Sequence, residues 1–360
     1  MHVAANSGAT PRSLYFGGDR GNLYAVNAQT GSLRWCIHLN NPGPQITPQP
    51  CPGHCPPSFQ SYFTVGTPAI VDGVVYVCAS SDGETGDTYA LNASDGSLRW
   101  RTQSGCWSVS MPFGDNAIPL VDNGIVYSGL AALRAQDGQV LWKETHIDFA
   151  QDGELILLAV TDGVLYACTE AAVYALNAAD GSLLWRYPPH AYMTPGGPLI
   201  VSRSNHTLIV GTQGSVDQPE TSALYAISTD NGTLRWYRLM GDYAGAVFMN
   251  NQVYVSSRDQ YLYALNVSNG KTLWRHKFIY PTYNPALAVN GTLYINIDGA
   301  YALNSADGSV LWHQLLGSSQ SNAFSPSFVA DGIDYLASTD GQGNSTLYAL
   351  NSKLRRRVLV

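Results

Sequence analysis

The sequence predicts an all-β fold, an eight-bladed β-propeller of four-stranded antiparallel blades, and three observations predict it. A Tyr-Ala-Leu-Asn unit followed by a Gly turn and a Trp recurs through the chain. Its copies are anchored at Tyr24, Tyr89, Ala131, Tyr174, Tyr225, Tyr263, Tyr301 and Tyr348, at intervals of 38 to 65 residues, a period typical of solenoids and propellers. Between the anchors, short apolar runs are joined by Asp-Gly or Asn-Gly, the strongest local hairpin signal. Only 12% of the 360 residues are charged, against 35 Gly and 22 Tyr, which suits short strands and tight turns better than solvated helices.

Each repeat reads as four strands, A to D. In residues 67–100 they are Thr-Pro-Ala-Ile-Val, Val-Val-Tyr-Val-Cys, Thr-Tyr-Ala-Leu-Asn and Ser-Leu-Arg-Trp, separated by Asp72-Gly73, a loop around Asp82-Gly83, and Asp95-Gly96. One domain over 1–360 is expected, with blade cores near 13–35, 67–100, 117–142, 153–185, 195–236, 245–274, 284–312 and 325–360. The terminal blades are the irregular ones. Met1–Asn6 is only a weak A strand for the first. In the last, Leu354 and Arg355 stand where Asp-Gly belongs and Leu359 where Trp belongs, so either Arg356–Val360 makes an irregular final strand or the tail is a truncation or sequence artefact. Closing the array removes the unpaired strand edges an open one would expose. No sequence pattern supports helices beyond short loop segments.

Trp35, Trp100, Trp142, Trp185, Trp236, Trp274 and Trp312 hold one place in their repeats. A Trp buries roughly 150–250 Å², so a fixed position of this kind reads as a packing anchor between blades. The spacing Ala-x-Asn-x-x-Asp/Thr-Gly-x-x-x-Trp is met by Ala25, Asn27, Thr30, Gly31 and Trp35, by Ala90, Asn92, Asp95, Gly96 and Trp100, and by Ala175, Asn177, Asp180, Gly181 and Trp185. The copies ending at Trp274 and Trp312 also fit, whereas Arg134 and Ser228 replace Asn in those ending at Trp142 and Trp236. This motif resembles the tryptophan-docking motif of pyrroloquinoline-quinone-type repeat propellers, the quinoprotein alcohol dehydrogenase-like superfamily. The resemblance implies fold and interlocked blades; function has to be argued from the site.

In a four-stranded antiparallel blade the A–B and C–D turns lie at one end, and the B–C and D–A connections at the other. The A–B turns are short and uniform (Asp72-Gly73, Asn123-Gly124, Asp162-Gly163, Asn290-Gly291, Asp331-Gly332). The second set is long and irregular, and variable loops on a rigid scaffold carry binding. The expected ligand- or partner-binding residues there are Trp107, Phe113, His190, Tyr192, Tyr243, Arg258, Asp259, Tyr280 and Tyr283, rings that suit a flat ligand, a sugar or an apolar peptide. Trp107 is the one Trp outside the repeat. The B–C connections also bring acids, among them Asp87, Glu170, Asp259 and Asp298. The repeat tyrosines read as packing positions.

Six cysteines are too few for a disulfide-built scaffold of this size. Cys51 and Cys55 are candidates for a small disulfide-closed loop, the form that places the chain in an oxidising compartment. Cys36–Cys106 is another conceivable bridge, and Cys78 and Cys168 read as small buried apolar residues. No metal site and no catalytic residue is assigned.

The chain reads as a non-catalytic binding scaffold for a protein or small ligand rather than as an enzyme. It resembles non-catalytic bacterial propellers such as the barrel-assembly lipoprotein of outer membranes and the extracytoplasmic sensor domains of some kinases. The alternative is a quinoprotein dehydrogenase oxidising alcohols or sugars. That resemblance would bring pyrroloquinoline quinone, calcium and usually a disulfide between adjacent cysteines, yet Cys106 is followed by Trp107. No cofactor is expected on the scaffold reading. A net charge of −7 disfavours nucleic acid, and no apolar run is long enough to span a membrane. A monomer in an extracytoplasmic compartment is expected, although Met-His-Val-Ala-Ala-Asn-Ser-Gly shows no secretory signal.

Overall fold

The computed structural model describes residues 3–5, 13–17, 21–28, 30–39, 63–81, 86–106, 118–129, 131–153, 155–188, 194–195, 199–213, 222–241, 243–282, 284–316, 323–324, 327–330, 332–339, 345–351 and 357–359. They form two compact units, Met1–Ile147 with the turn Ala178–Ser182, and Asp148–Asn177 with Leu183–Leu359.

The first unit holds three antiparallel sheets, with strands in the order A to D. The first sheet is Val3–Ala5, Ser13–Gly17, Asn22–Asn27 and Leu33–His38. The second is Phe63–Val65 with Ala69–Val71, then Val74–Ser81, Gly86–Asn92 and Leu98–Cys106. Its A strand comes in two pieces that both pair with B, separated by Gly66, Thr67 and Pro68; a proline has no N–H for the ladder. The third is Leu120–Asp122, Ile125–Ser128, Ala131–Arg134 and Val140–Lys143.

The second unit holds five more. The fourth sheet is Leu155–Thr161, Val164–Thr169, Val173–Asn177 and Leu183–Tyr187, preceded by a one-turn helix, Phe149–Asp152. The fifth is Thr194–Pro195 with Ile200–Ser202, then Thr207–Gln213, Ala223–Ser228 and Leu234–Leu239. The sixth is Tyr243–Met249, Gln252–Ser257, Tyr261–Asn266 and Thr272–Lys277. The seventh is Leu287–Val289, Thr292–Asn296, Gly299–Asn304 and Val310–Leu315. The eighth is Ala323–Phe324 with Phe328–Ala330, then Ile333–Thr339, Ser345–Asn351 and Arg357–Leu359. The fold class is the predicted one, all-β with eight four-stranded propeller blades. Both irregular terminal strands form: Val3–Ala5 pairs with Ser13–Gly17, and Arg357–Leu359 pairs with Ser345–Asn351.

The A–B turns follow from residue chemistry. Asp72, Asn123, Asp162 and Asn290 take φ of 48° to 52°, and the glycines after them 73° to 79°. Two successive left-handed residues make the hairpin turn whose twist matches the strands. Every C–D hairpin of the first seven sheets carries a bulge next to the repeat alanine: Ala25, Ala90, Ala132, Ala175, Ala226, Ala264 and Ala302. All seven alanines are fully buried, each directly opposite its Trp.

The bulge aims the Trp at a C–D turn of the same unit. The indole N–H of Trp35 donates to Ala93 O, that of Trp100 to Ala135 O and that of Trp142 to Ala178 O. In the second unit Trp185, Trp236 and Trp274 donate to Thr229, Val267 and Ser305. The strand-B tyrosines Tyr15, Tyr76, Tyr127 and Tyr254 send their hydroxyls to the same carbonyls. Two donors from one sheet thus share one turn carbonyl of the next, while the indole covers the turn glycine. The tryptophans are fasteners between sheets.

Cys78 and Cys106 form a disulfide, with Cα atoms 6.1 Å apart. This corrects two expectations: Cys78 is not simply a small apolar residue, and the partner of Cys106 is not Cys36. The register puts Cys106 opposite Gly86 at a second bulge, which turns the end of strand D back toward strand B. Cys36 is also disulfide-bonded; Cys51 and Cys55 lie outside the described residues. Cys168 is free and buried, and burial pushes its thiol pKa far up, so it packs as an apolar residue. Replacement Cys106→Ser is expected to cost about 2–4 kcal/mol in denaturant unfolding without reductant. An unchanged midpoint would mean the bond adds nothing to the fold.

Candidate binding face

Strand alternation puts a residue and its cross-strand partner on one face. Across the C–D ladder the repeat tyrosine faces the residue just after the docking Trp: Tyr89 faces Arg101, Tyr174 faces Arg186, Tyr263 faces Arg275, Tyr301 faces His313 and Tyr225 faces Tyr237. In four sheets a carboxylate from the B–C or D–A end completes the group.

In the second sheet Arg101 pairs with Asp87 at 2.5 Å and lies 5.4 Å from the Tyr89 ring centre. The Tyr89 hydroxyl donates to Leu39 O at 2.9 Å, and burial raises its pKa to about 12. In the fourth sheet the Tyr174 hydroxyl donates to buried Asp152, which also pairs with Arg186. Arg186 Nε donates back to that hydroxyl at 3.2 Å, and its guanidinium lies 5.6 Å from the ring centre. In the sixth, Tyr263 donates to Asp259 Oδ2 at 2.6 Å; burial first, then that carboxylate, raises its pKa to about 12. In the seventh, His313 stacks on Tyr301 at 3.8 Å and lies 3.4 Å from Asp298, and burial raises the Tyr301 phenol.

These phenols are therefore neutral at every physiological pH. They are hydrogen-bond donors and ring surfaces, with cations laid on the rings at distances where the attraction is worth about 0.5–1 kcal/mol each. The arrangement suits recognition better than proton transfer, which wants a pKa near the working pH.

An exposed part of this surface spans sheets four to six. Tyr187, Tyr225 and Tyr237 form a row with ring centres 6.4 and 6.3 Å apart, and Tyr237 and Leu239 are 61% and 63% exposed. Beside them Arg238 lies 5.8 Å from the Tyr263 ring centre, while Arg275 and Lys277 lie 4.7 and 5.8 Å from that of Tyr261.

Of the residues expected here, Arg258 and Asp259 lie in the B–C turn of the sixth sheet, where Asp259 Oδ1 accepts from Tyr261 N at 3.1 Å. Tyr280 lies in the following D–A segment, half-buried and near enough to Tyr301 to perturb it. Tyr243 is a correction: it is wholly buried in the core between sheets five and six, its ring against Gly211, where a Cβ would come within 2.0 Å of it. Trp107, Phe113, His190, Tyr192 and Tyr283 lie outside the described residues. The acids Asp87, Asp259 and Asp298 satisfy tyrosines and cations instead of forming an open carboxylate ring. Sequence reasoning missed the strand-D cations, although their signal is visible: Trp is followed by a basic residue in Trp100-Arg101, Trp142-Lys143, Trp185-Arg186, Trp274-Arg275 and Trp312-His313.

A family model described as "Outer membrane protein assembly factor BamB" matches residues 19–276 and 258–358. The chain belongs to this family. It is 24% identical over 289 residues to the outer membrane protein assembly factor BamB of Yersinia pestis, covering 75% of this chain and 63% of that protein, so it spans less than two thirds of that relative's length. Two solved structures share the fold. The computationally designed Ika8 protein aligns with a TM-score of 0.67 at 14% identity, covering 97% of this chain and 95% of Ika8. Quinohemoprotein alcohol dehydrogenase from Comamonas testosteroni aligns at 0.60 and 15% identity, covering 81% and 66%.

The likeness to the dehydrogenase raises the question of a quinone and its metal. Among the described residues no three His, Cys, Asp or Glu side chains converge on a point where they could hold a metal ion. The carboxylates nearest the rings are engaged with Tyr, Arg and His. These residues do not fit a calcium–quinone site. No helix among them is long and apolar enough to cross a membrane.

Proposed function

We propose that this protein is a non-catalytic scaffold that docks a protein partner at the B–C and D–A end of its blades, in an extracytoplasmic compartment. The observation that carries the reading is the repeated Tyr–cation–acid group. Its phenols are held neutral while Arg101, Arg186 and Arg275 stay exposed, so the chemistry on offer is recognition. The likeness to the Yersinia pestis relative, an assembly factor, supports a partner-binding role. The Cys78–Cys106 disulfide supports an oxidising compartment.

The test is site-specific photo-crosslinking in the native host. A photoreactive residue at Tyr237 or Tyr280 is expected to trap a protein partner, whereas one at Asn123 or Asp162, in the A–B turns, is expected to trap none. Crosslinks from the turn end alone would overturn the placement. Alcohol-dependent dye reduction on adding quinone and calcium would replace the scaffold with the dehydrogenase alternative.

A further inference from the structure

The tyrosine–cation groups are not equivalent in charge. In the second and fourth sheets the strand-D arginine is neutralised by a carboxylate, Asp87 or Asp152, and in the seventh His313 faces Asp298. In the sixth, Asp259 gives one oxygen to the Tyr263 hydroxyl and the other to a backbone N–H. Arg275 and Lys277 have no carboxylate partner among the described residues; both lie over the Tyr261 ring and both are exposed. Arg238, on the neighbouring sheet, spends its hydrogen bonds on Gly270 O and Thr272 Oγ1 and has no described carboxylate partner either. Three cations with no direct carboxylate partner among the described residues thus gather over two tyrosine rings on a chain whose net charge is −7.

The backbone beneath them is also open. Thr272–Lys277 is the outer strand of its sheet, and among the described residues it pairs only with Tyr261–Asn266. An outer strand presents unpaired N–H and C=O groups, the template for an added strand. Alternation along it puts Leu273, Arg275 and Lys277 on one face, so a strand laid alongside meets two cations two residues apart.

We propose that Thr272–Lys277 is the docking edge for an extended acidic segment of a protein partner, which adds as a fifth strand and sets carboxylates at alternate positions against Arg275, Lys277 and Arg238. This rests on the scaffold reading and names the chemistry of its partner. Main-chain pairing would supply affinity, and the carboxylate spacing specificity.

The test uses the whole protein and a labelled peptide of alternating Glu and Val, with anisotropy as the readout. Binding is expected, weakening as salt rises, with added hydrogen-exchange protection confined to Thr272–Lys277. The Lys-Val peptide and a Glu-Val peptide interrupted by proline are expected not to bind. The double variant Arg275→Gln, Lys277→Gln should bind about tenfold more weakly. Charge reversal, Arg275→Glu with Lys277→Glu, should abolish binding, and if that variant does not fold the Gln pair decides. Equal binding of the basic or proline-interrupted peptide, an unchanged Gln variant, or protection elsewhere would overturn the proposal. So would a wild-type protein that ignores the acidic peptide, whereas the scaffold reading would fall only if the Tyr237 and Tyr280 crosslinks also failed.

Discussion

Replacing Asp334 with Leu is expected to raise the melting temperature of the second unit, and to raise it more at pH 8 than at pH 5. Asp334 lies in strand B of the eighth sheet with no exposed surface. The register aligns it with Leu14, Val75, Val126, Leu165, Leu208, Val253 and Leu293 of the other seven sheets, all buried and apolar. Neither carboxylate oxygen has a hydrogen bond of good geometry. The Ser327 hydroxyl favours the charged form, but it accepts from Asn296 Nδ2 at 3.0 Å and its proton is also within reach of Asn296 Oδ1 at 3.4 Å. Burial therefore dominates and pushes the pKa up to about 7.

The sign follows from linkage. Between the unfolded pKa of 3.8 and the folded pKa of about 7, the native state keeps a proton that the unfolded state has lost. Stability is thus fullest below the lower value and falls as pH rises through the upper one. A shift of that size corresponds to roughly 4 kcal/mol at most. Asp95, Asp180 and Asp307 are held below the usual carboxylate range by Ser97, Ser182 and Ser309, so they stay ionised from pH 5 to 8. Burial lowers the pKa of His276; the difference between wild type and variant cancels its contribution. Asp334→Leu should gain roughly 3 kcal/mol at pH 8 and far less at pH 5, read by thermal and urea unfolding at both. A gain independent of pH, or a loss, would show that the carboxyl is paired in solution.

Trp100→Ala should have the largest destabilising effect in the first unit, about 3–5 kcal/mol. Its indole is buried, donates to Ala135 O at 2.9 Å and packs on Tyr76 with ring centres 5.9 Å apart. Beneath it Gly138 has φ of +72°, and a Cβ there would lie 2.6 Å from the indole. Gly138→Ala should therefore cost more than the roughly 1 kcal/mol expected from backbone conformation alone. Trp100→Phe, which keeps a ring and loses the N–H, should cost roughly 1–2 kcal/mol. In a double-mutant cycle Gly138→Ala should do less damage once Trp100 is Ala, because the clash is gone while the strained φ remains. Strict additivity in urea unfolding would disprove the contact.

The difference between these two sites shows what was legible in the chain. Trp100, Gly138 and Ala90 follow a repeating pattern, and repetition makes a packing role readable without coordinates: a residue that returns at one place in every unit serves what every unit must do. Asp334 was legible in principle, since Ile333-Asp334-Tyr335 stands where Thr292-Leu293-Tyr294 and Gln252-Val253-Tyr254 stand in the preceding repeats. Its consequence was not, because whether a carboxyl is solvated or stripped of water depends on what the neighbouring sheet lays against it. Tyr243 is a similar case. In sequence it belongs to a variable loop, yet a side-chain-free Gly211 opens a slot in the adjacent sheet and draws its ring into the core.

The sequence by itself determined the strands, their turns, the eightfold repetition and the fasteners, because these depend on local conformation and on a period read along one chain. Tertiary structure alone decided which cations meet which rings, which acids are consumed by tyrosine hydroxyls, and that Cys78 rather than Cys36 joins Cys106. Each of those outcomes is a distance between residues on different strands or sheets. Charge, hydrogen bonding and desolvation act through that distance, and no spacing along the chain encodes it.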